Sequence, residues 1–353
     1  MGKLVLYCIP AGGSGTDLLL AEAARKEYGT TLFVASSREL VNKAREHHVN
    51  AANFEYLVNE VLRRLGPEKG QRQLISRKTQ ELIVEKLLAE LLRQEDGKAA
   101  CFKALAGEKS FLAALVSLIS QLGRAHVTRE QLQAAFGNWD AKGGTGLPRP
   151  RELRSKDDAV CAVYEAYCAY MEGKHGKHGE MRLYDLEMLY GEALAVLRSL
   201  TEAEAAEKLP WKDICFAGFY QFDGLSREII LALRRWCNVV VALPGERVAA
   251  GEDYRRSVFA AAEDTFADLS GKSDFLEYVT ALQGGREPAL DFLLRNFRRP
   301  LRDSEKVPGG GVLRIWKAAD ALTELRLVLR DVKRSILAGT EPVSYTHLRA
   351  HET

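Results

Sequence analysis

Residues Leu4–Ala24 read LVLYCIPAGGSGTDLLLAEAA. Leu4 to Ile9 form a short apolar strand pattern. It enters Pro10-Ala11-Gly12-Gly13-Ser14-Gly15 and leaves straight into an apolar helical pattern. A strand, a glycine turn and a helix start make the setting in which backbone N–H groups cradle phosphate. The complete pattern demands Lys and then Ser or Thr after Gly15, and this chain has Thr16 and Asp17. Lysine supplies the charge that reaches the β- and γ-phosphates, and the hydroxyl binds Mg²⁺. Gly12, Gly13, Ser14, Gly15 and Thr16 are therefore candidates for a degenerate phosphate loop, with Asp17 expected to aim a repelling carboxylate at the phosphate position. The competing reading is a tight turn whose glycines only supply positive φ. A dinucleotide-binding G-x-G-x-x-G is the weaker reading: Leu18 stands where the third glycine belongs, and Ser36 and Ser37, not an acid, end the next strand.

The composition is that of a globular chain of two or three domains: 353 residues, 46% hydrophobic and 28% charged. A net charge of +2 gives no global push toward nucleic acid, so any basic groove has to be local. No run of about 18 apolar residues exists, which predicts a cytoplasmic protein without membrane contact. The six cysteines (Cys8, Cys101, Cys161, Cys168, Cys215, Cys237) are scattered without C-x-x-C spacing and read as buried free thiols. His175 and His178 sit in a Gly/Lys-rich stretch that reads as a solvated loop, so no metal site is expected. From about Val343 the stretch VSYTHLRAHET abandons the helical pattern. It reads as a non-native tail at 343–353, with the natural chain expected to continue.

A second strand, Thr31 to Ala35, is followed by Ser36-Ser37-Arg38-Glu39-Leu40, where a serine caps a helix. Ala51-Ala52-Asn53-Phe54 then leads into a helix with the stripe Leu57, Val61, Leu62 and Leu65, stopped by Gly66. From about 70 to 200 the pattern is helical throughout. Leu74 to Leu92 is expected to form one amphipathic helix and Phe111 to Leu122 another. Thr128-Arg129-Glu130-Gln131 is a capping-box signature, and Gly137 to Pro150 reads as a loop. Strand patterns return at Asp213–Phe219, at Asn238–Leu243 and at Val312–Trp316, the last preceding a helix from Leu322 to Leu337. The run Asn238–Leu243 is apolar on both faces, as in a covered parallel strand.

Taken in order, the stub PAGGSG, the pair LFVASSRELVNKA and ANFEYLVNEVLRRLG, and ICFAGFYQFDGLSREIILALRRWCNVVVALPG resemble one family. It is the N-terminal, helicase-like half of the AddB-type subunit of bacterial AddAB/RexAB-type ATP-dependent helicase–deoxyribonucleases. Gly218-Phe219-Tyr220-Gln221-Phe222 is the most telling string. The resemblance implies an α/β, RecA-like (superfamily 1 helicase-like) parallel sheet with a large helical insertion. The core is expected at 1–66 and 205–305, the insertion at 67–204, and a second core domain from 311 to 341. It further implies DNA as a ligand, a catalytic AddA-type helicase–nuclease subunit as heterodimer partner, and a role in double-strand break repair by homologous recombination. The family's PD-(D/E)XK nuclease, its metal and its iron–sulfur cysteines would lie outside this stretch. Relatives place an aspartate where Ala217 stands, the usual Mg²⁺-orienting position. With the phosphate lysine also missing, ATP and Mg²⁺ become doubtful cofactors, no residue is assigned a catalytic role, and a non-catalytic scaffold is expected. The alternative is an active hydrolase that recruits another lysine, such as Lys3 or Lys26.

The DNA-binding candidates follow from position and residue type. Ser36, Ser37 and Arg38 end a parallel strand, where two hydroxyls and a guanidinium suit a phosphate contact or, equally, a helix cap beside a solvated arginine. Phe219, Tyr220 and Phe222 offer rings either for base stacking or for packing against the sheet. Arg295, Arg298, Arg299 and Arg302, interleaved with Phe292 and Phe297, line a DNA path or form a solvated helix end.

Overall fold

The computed structural model describes residues 2–11, 13–66, 72–94, 97–142, 150–174, 182–247, 258–279, 288–298 and 316–339. Up to Leu282 the chain forms one compact unit, and Gln283–Thr353 forms a second.

The first unit begins with three strand–helix pairs: β1 (Leu4–Ile9) and α1 (Gly15–Ala23), β2 (Thr31–Ala35) and α2 (Arg38–Glu46), β3 (Ala51–Ala52) and α3 (Phe54–Leu65). An insertion follows, comprising β4 (Arg72–Leu74), α4 (Arg77–Arg93), α5 (Lys109–Arg124), α6 (Arg129–Lys142), α7 (Arg151–Ala169) and β5 (Arg182–Tyr184). The chain returns through α8 (Leu186–Ser199), α9 (Glu202–Lys208), β6 (Asp213–Ala217), α10 (Gly224–Leu233), β7 (Asn238–Pro244), α11 (Ala260–Ser270) and β8 (Phe275–Tyr278). Six strands make one all-parallel sheet in the order β3-β2-β6-β7-β1-β8. This is an α/β, RecA-like core with helical insertions.

Local chemistry fixes each crossover. Ser14 and Ser37 cap α1 and α2, their hydroxyls accepting the N–H of Asp17 (3.1 Å) and Leu40 (3.3 Å). Asn53 caps α3 through Tyr56 N–H (2.9 Å), and Asp223 caps α10 through Ser226 N–H (2.7 Å). Each satisfies a donor that a helix start leaves open. All four caps follow a strand's C-terminal end, so the βα turns gather on one edge of the sheet. β2, β6 and β7 are apolar on both faces because helices cover both. On one face α3, α8 and α10 bury Phe54, Leu57, Leu194 and Ile229 against Phe216 and Val241. On the other, α1 and α2 bury Leu19, Leu20, Val41 and Ala44 against Phe33, Cys215, Ala217 and Ala242.

Several sequence expectations are corrected here. The stretch 70–200 is not helical throughout: β4 and β5 pair in parallel where the chain leaves and re-enters the sheet domain. Leu74 belongs to β4, not to the helix that follows. Ala51–Ala52 is a strand on the sheet edge, and β8, which has no run of buried residues, went unread. Residues 137–142 continue α6 instead of opening the expected loop, and 143–149 lie outside the described residues. The helix α8 packs into the core of the sheet domain. The capping box closes as expected, with Thr128 N–H donating to Gln131 Oε1 (2.9 Å) and Gln131 N–H to Thr128 Oγ1 (3.2 Å). Free thiols are buried at Cys8, Cys215 and Cys237, the pKa of each pushed up to about 12 by burial, but Cys101 is exposed.

The helical insertion has its own core, in which Val84, Leu88, Val116, Ile119 and Val163 interlock. One buried polar chain crosses it. Gln80 Nε2 donates to Tyr167 Oη (3.1 Å), which donates to Asp185 Oδ2 (2.7 Å), and Asp185 Oδ1 accepts Met188 N–H (2.7 Å) to cap α8. Burial raises the pKa of both Tyr167 and Asp185.

In the second unit, α12 (Pro288–Asn296) and α13 (Ala321–Leu337) are described, the latter capped by Asp320 through Thr323 N–H (2.7 Å). Of the expected strand Val312–Trp316, residues 312–315 lie outside the described residues, as do the histidine pair, Arg302 and the tail, and Trp316 is not in a strand.

Candidate functional site at the carboxyl edge of the sheet

A cavity of about 360 Å³ opens over the turn between β1 and α1. Gly13, Ser14, Gly15 and Thr16 form its floor, Gly218, Phe219 and Tyr220 one wall, and Ala242–Pro244 with Val258, Phe259, Ala261 and Ala262 the other. Gly12 lies outside the described residues. The loop glycines answer to space, not to positive φ: among the described residues, neither Gly13 nor Gly15 has a left-handed φ. A Cβ on Gly13 would stand 2.6 Å from Ile9 Cγ2, and one on Gly15 would stand 2.8 Å from Ala242 Cβ. The turn is therefore tight because α1 starts directly against β1 and β7.

Gly218 is where positive φ is required. It follows β6 with φ +77°, and a Cβ there would meet Leu40 Cδ1 at 2.5 Å, Ser36 Oγ at 2.9 Å and Thr16 Oγ1 at 3.6 Å. Thr16, Ser36 and Gly218 thus converge at one point, although they come from three different turns. Ser36 N–H donates to Ala217 O (3.3 Å), which fixes the turn after β2 to the end of β6. Ser37 is committed to capping α2, while Ser36 and Arg38 are exposed.

The charges expected here are elsewhere. Asp17 does not aim at the phosphate position: its carboxylate accepts Lys43 Nζ at 2.7 Å, tying α1 to α2. That hydrogen bond, with Ser14 second, holds its carboxyl below the usual range. Lys26 pairs with Asp213 at 2.9 Å, at the start of β6. Lys3 precedes β1, and its N–H donates to Asn238 Oδ1 at 3.2 Å. Both lysines lie at the opposite edge of the sheet, a strand length of about 13 Å (β6) to about 20 Å (β1) from the loop. Ala217, buried against α1 and α2, offers no metal ligand. Among the described lining residues there is no Lys, Arg, His, Asp or Glu. Mg-ATP does not fit this donor set, which lacks both the cation for the phosphates and the carboxylate for the metal.

The aromatic string divides by role. Phe219 and Phe222 meet in a tilted pair with ring centroids 4.6 Å apart and join Phe54 and Phe216, so they pack the core. Tyr220 stands apart, 65% exposed at the cavity mouth. Arg295 falls on α12 and Arg298 just beyond it with φ 64°, both in the second unit; Arg299 lies outside the described residues. The structure thus brings together Gly13–Thr16, Ser36, Gly218 and Tyr220. The far wall, Ala242–Pro244 and Val258–Ala262, escaped the sequence reading. Its one signal was the apolar run of β7, which does not announce that β7 lies beside β1.

The fold and this edge define a P-loop-type RecA-like core whose phosphate turn is stripped of charge. A family model described as "ADDB, N-terminal" matches residues 34–274, more than half of the chain. The chain belongs to that family and is an AddB-type subunit. No curated protein matches it.

Proposed function

We propose that this chain is the DNA-binding and scaffold region of a helicase–nuclease subunit that acts in the cytoplasm on broken DNA ends during homologous recombination, and that it turns over no ATP itself. The observation that carries the second half is the cavity over the β1–α1 turn, with no charged side chain among its described lining residues. Transition-state charge on a transferred phosphoryl group needs preorganised counter-charge, each contributor being worth on the order of 2–4 kcal/mol. Two of them are replaced here by Thr16 and Ala217. The rival reading, recruitment of Lys3 or Lys26, is opposed by the Lys26–Asp213 ion pair and by the place of Lys3 ahead of β1, both at the far edge of the sheet.

The first half is supported by family membership and by the carboxyl edge of the sheet, where ligands of open α/β folds bind. Exposed Ser36, Arg38 and Tyr220 lie on turns that meet there, and suit a strand's phosphates and a base face. A catalytic AddA-type helicase–nuclease subunit is the proposed partner. The test is twofold. ATP turnover, measured with and without single-stranded DNA, is expected to be absent, and robust turnover by this chain alone would defeat the reading. Oligonucleotide affinity is expected to fall as salt rises, and a salt-independent or missing interaction would remove the DNA assignment.

A further inference from the structure

We propose that the cavity over the β1–α1 turn is a site for a neutral, planar heteroaromatic group, a nucleobase or an unphosphorylated nucleoside. The inference rests on the reading above that no nucleoside triphosphate is processed here, and it names what takes the triphosphate's place. Three observations converge. The space, about 360 Å³, is of the size that holds small ligands. Its lining includes the aromatic residues Tyr220 and Phe259, with Phe219 at the core side, beside Ile9, Leu243 and Ala262, a surface suited to a flat apolar face. Among the described lining residues the polar side chains are neutral: the hydroxyls of Ser14, Thr16 and Tyr220. Ser14 is already engaged with Asp17 N–H, and the Asp17 carboxylate, in the first turn of α1, is paired with Lys43. A triphosphate entering this space would meet the backbone N–H groups at the start of α1 but no cationic side chain among the described lining residues, whereas a neutral ring loses little on leaving water.

The ring could come from a free nucleoside or from an unpaired base of a DNA strand, and the two sources share one chemistry. Calorimetric titration of the purified chain with adenosine and with ATP–Mg²⁺ separates neutral from charged ligands. Adenosine is expected to bind about tenfold more tightly or better. Repeating the adenosine titration with saturating oligothymidylate distinguishes the sources: displacement assigns the site to the strand, and simultaneous binding assigns it to a free nucleoside. Ala261→Trp supplies the control. Ala261 is an exposed residue on the cavity wall, so filling the space from there spares the core. This variant should lose adenosine while circular dichroism and thermal unfolding stay as in the parent chain. Tighter binding of ATP–Mg²⁺ than of adenosine, no adenosine binding at all, or undiminished adenosine binding to Ala261→Trp would each overturn the proposal. Because oligonucleotide affinity is measured separately, loss of the DNA reading and loss of this one are told apart.

Discussion

Gly218→Ala is the substitution whose cost can be worked most fully from the geometry. The residue holds φ +77° between the end of β6 and the aromatic string. An L-side chain in that region costs about 1–2 kcal/mol. The added methyl would also stand 2.5 Å from Leu40 Cδ1 and 2.9 Å from Ser36 Oγ, so α2 or the turn before it has to give. Overpacking of that kind costs about 1–3 kcal/mol. The expected loss is therefore roughly 2–5 kcal/mol. It should be read as a lower denaturation midpoint in urea, followed by tryptophan fluorescence, to which Trp211, buried in the same core as Phe216, contributes. Gly191→Ala is the internal control. Gly191 lies inside α8 with no heavy atom within 4 Å of a built Cβ, so alanine there should stabilise by about 1 kcal/mol through helix propensity. The two variants should move in opposite directions. A Gly218→Ala protein within about 1 kcal/mol of the parent would refute the argument that this glycine is required.

Four further outcomes are expected. Tyr167→Phe removes the hydroxyl that donates to Asp185 and accepts from Gln80, leaving buried polar atoms without partners; it should cost about 1–3 kcal/mol in the same urea assay, and a neutral result would contradict the network. Glu60, hydrogen-bonded by Arg63 and Arg64, has its pKa held down to about 2 from an ordinary 4.5. A depressed folded value stabilises fully above 4.5 and loses that contribution as pH falls toward 2, so Glu60→Gln should destabilise at neutral pH with the gap closing across that acid window. Arg38→Ala should weaken oligonucleotide binding and reduce the slope of log K against log salt by about 0.7, and an unchanged slope would show that Arg38 touches no phosphate. Thr16→Lys should improve ATP binding yet yield no turnover, because Ala217 still offers the metal nothing; turnover from the single variant would show that a carboxylate reaches the loop from elsewhere.

What the sequence made legible follows from what periodicity can carry. Thr31–Ala35 and Asn238–Leu243 are covered on both faces, so nearly every residue is apolar and the strands declare themselves. Ala51–Ala52 has two residues and Phe275–Tyr278 lies on an edge with alternating exposure, so neither forms a run. β4 and β5 hold three residues each and gain their identity only by pairing across the whole insertion, a non-local fact. The site divides in the same way. Its floor is contiguous, and Gly13 to Thr16 could be named from the residues alone. Its walls depend on strand order, which places β7 beside β1 and the end of β6 one strand further on. Asp17 shows the limit at the level of one side chain. Its place in the motif suggested a carboxylate facing phosphate, but its direction is set by Lys43, 26 residues away on another helix.

The two glycine positions of the loop bear on how such motifs are argued at all. Gly13 and Gly15 are excluded from carrying a Cβ by Ile9 and Ala242, atoms of the sheet itself. Any parallel sheet that starts a helix this close to two strands needs glycine there, whether or not a phosphate ever arrives. The glycine spacing therefore reports the geometry of a βα turn, and the chemistry is decided by the residues that add or withhold charge. At Thr16 and Ala217 this chain withholds it, and the surrounding architecture does not depend on either: Ala217 fills its place among Ala35, Cys215 and Ala242, and Thr16 begins a helix that Ser14 already caps. A RecA-like core can thus keep its sheet, its turn and its cavity while the residues that would answer a phosphate's charge are replaced.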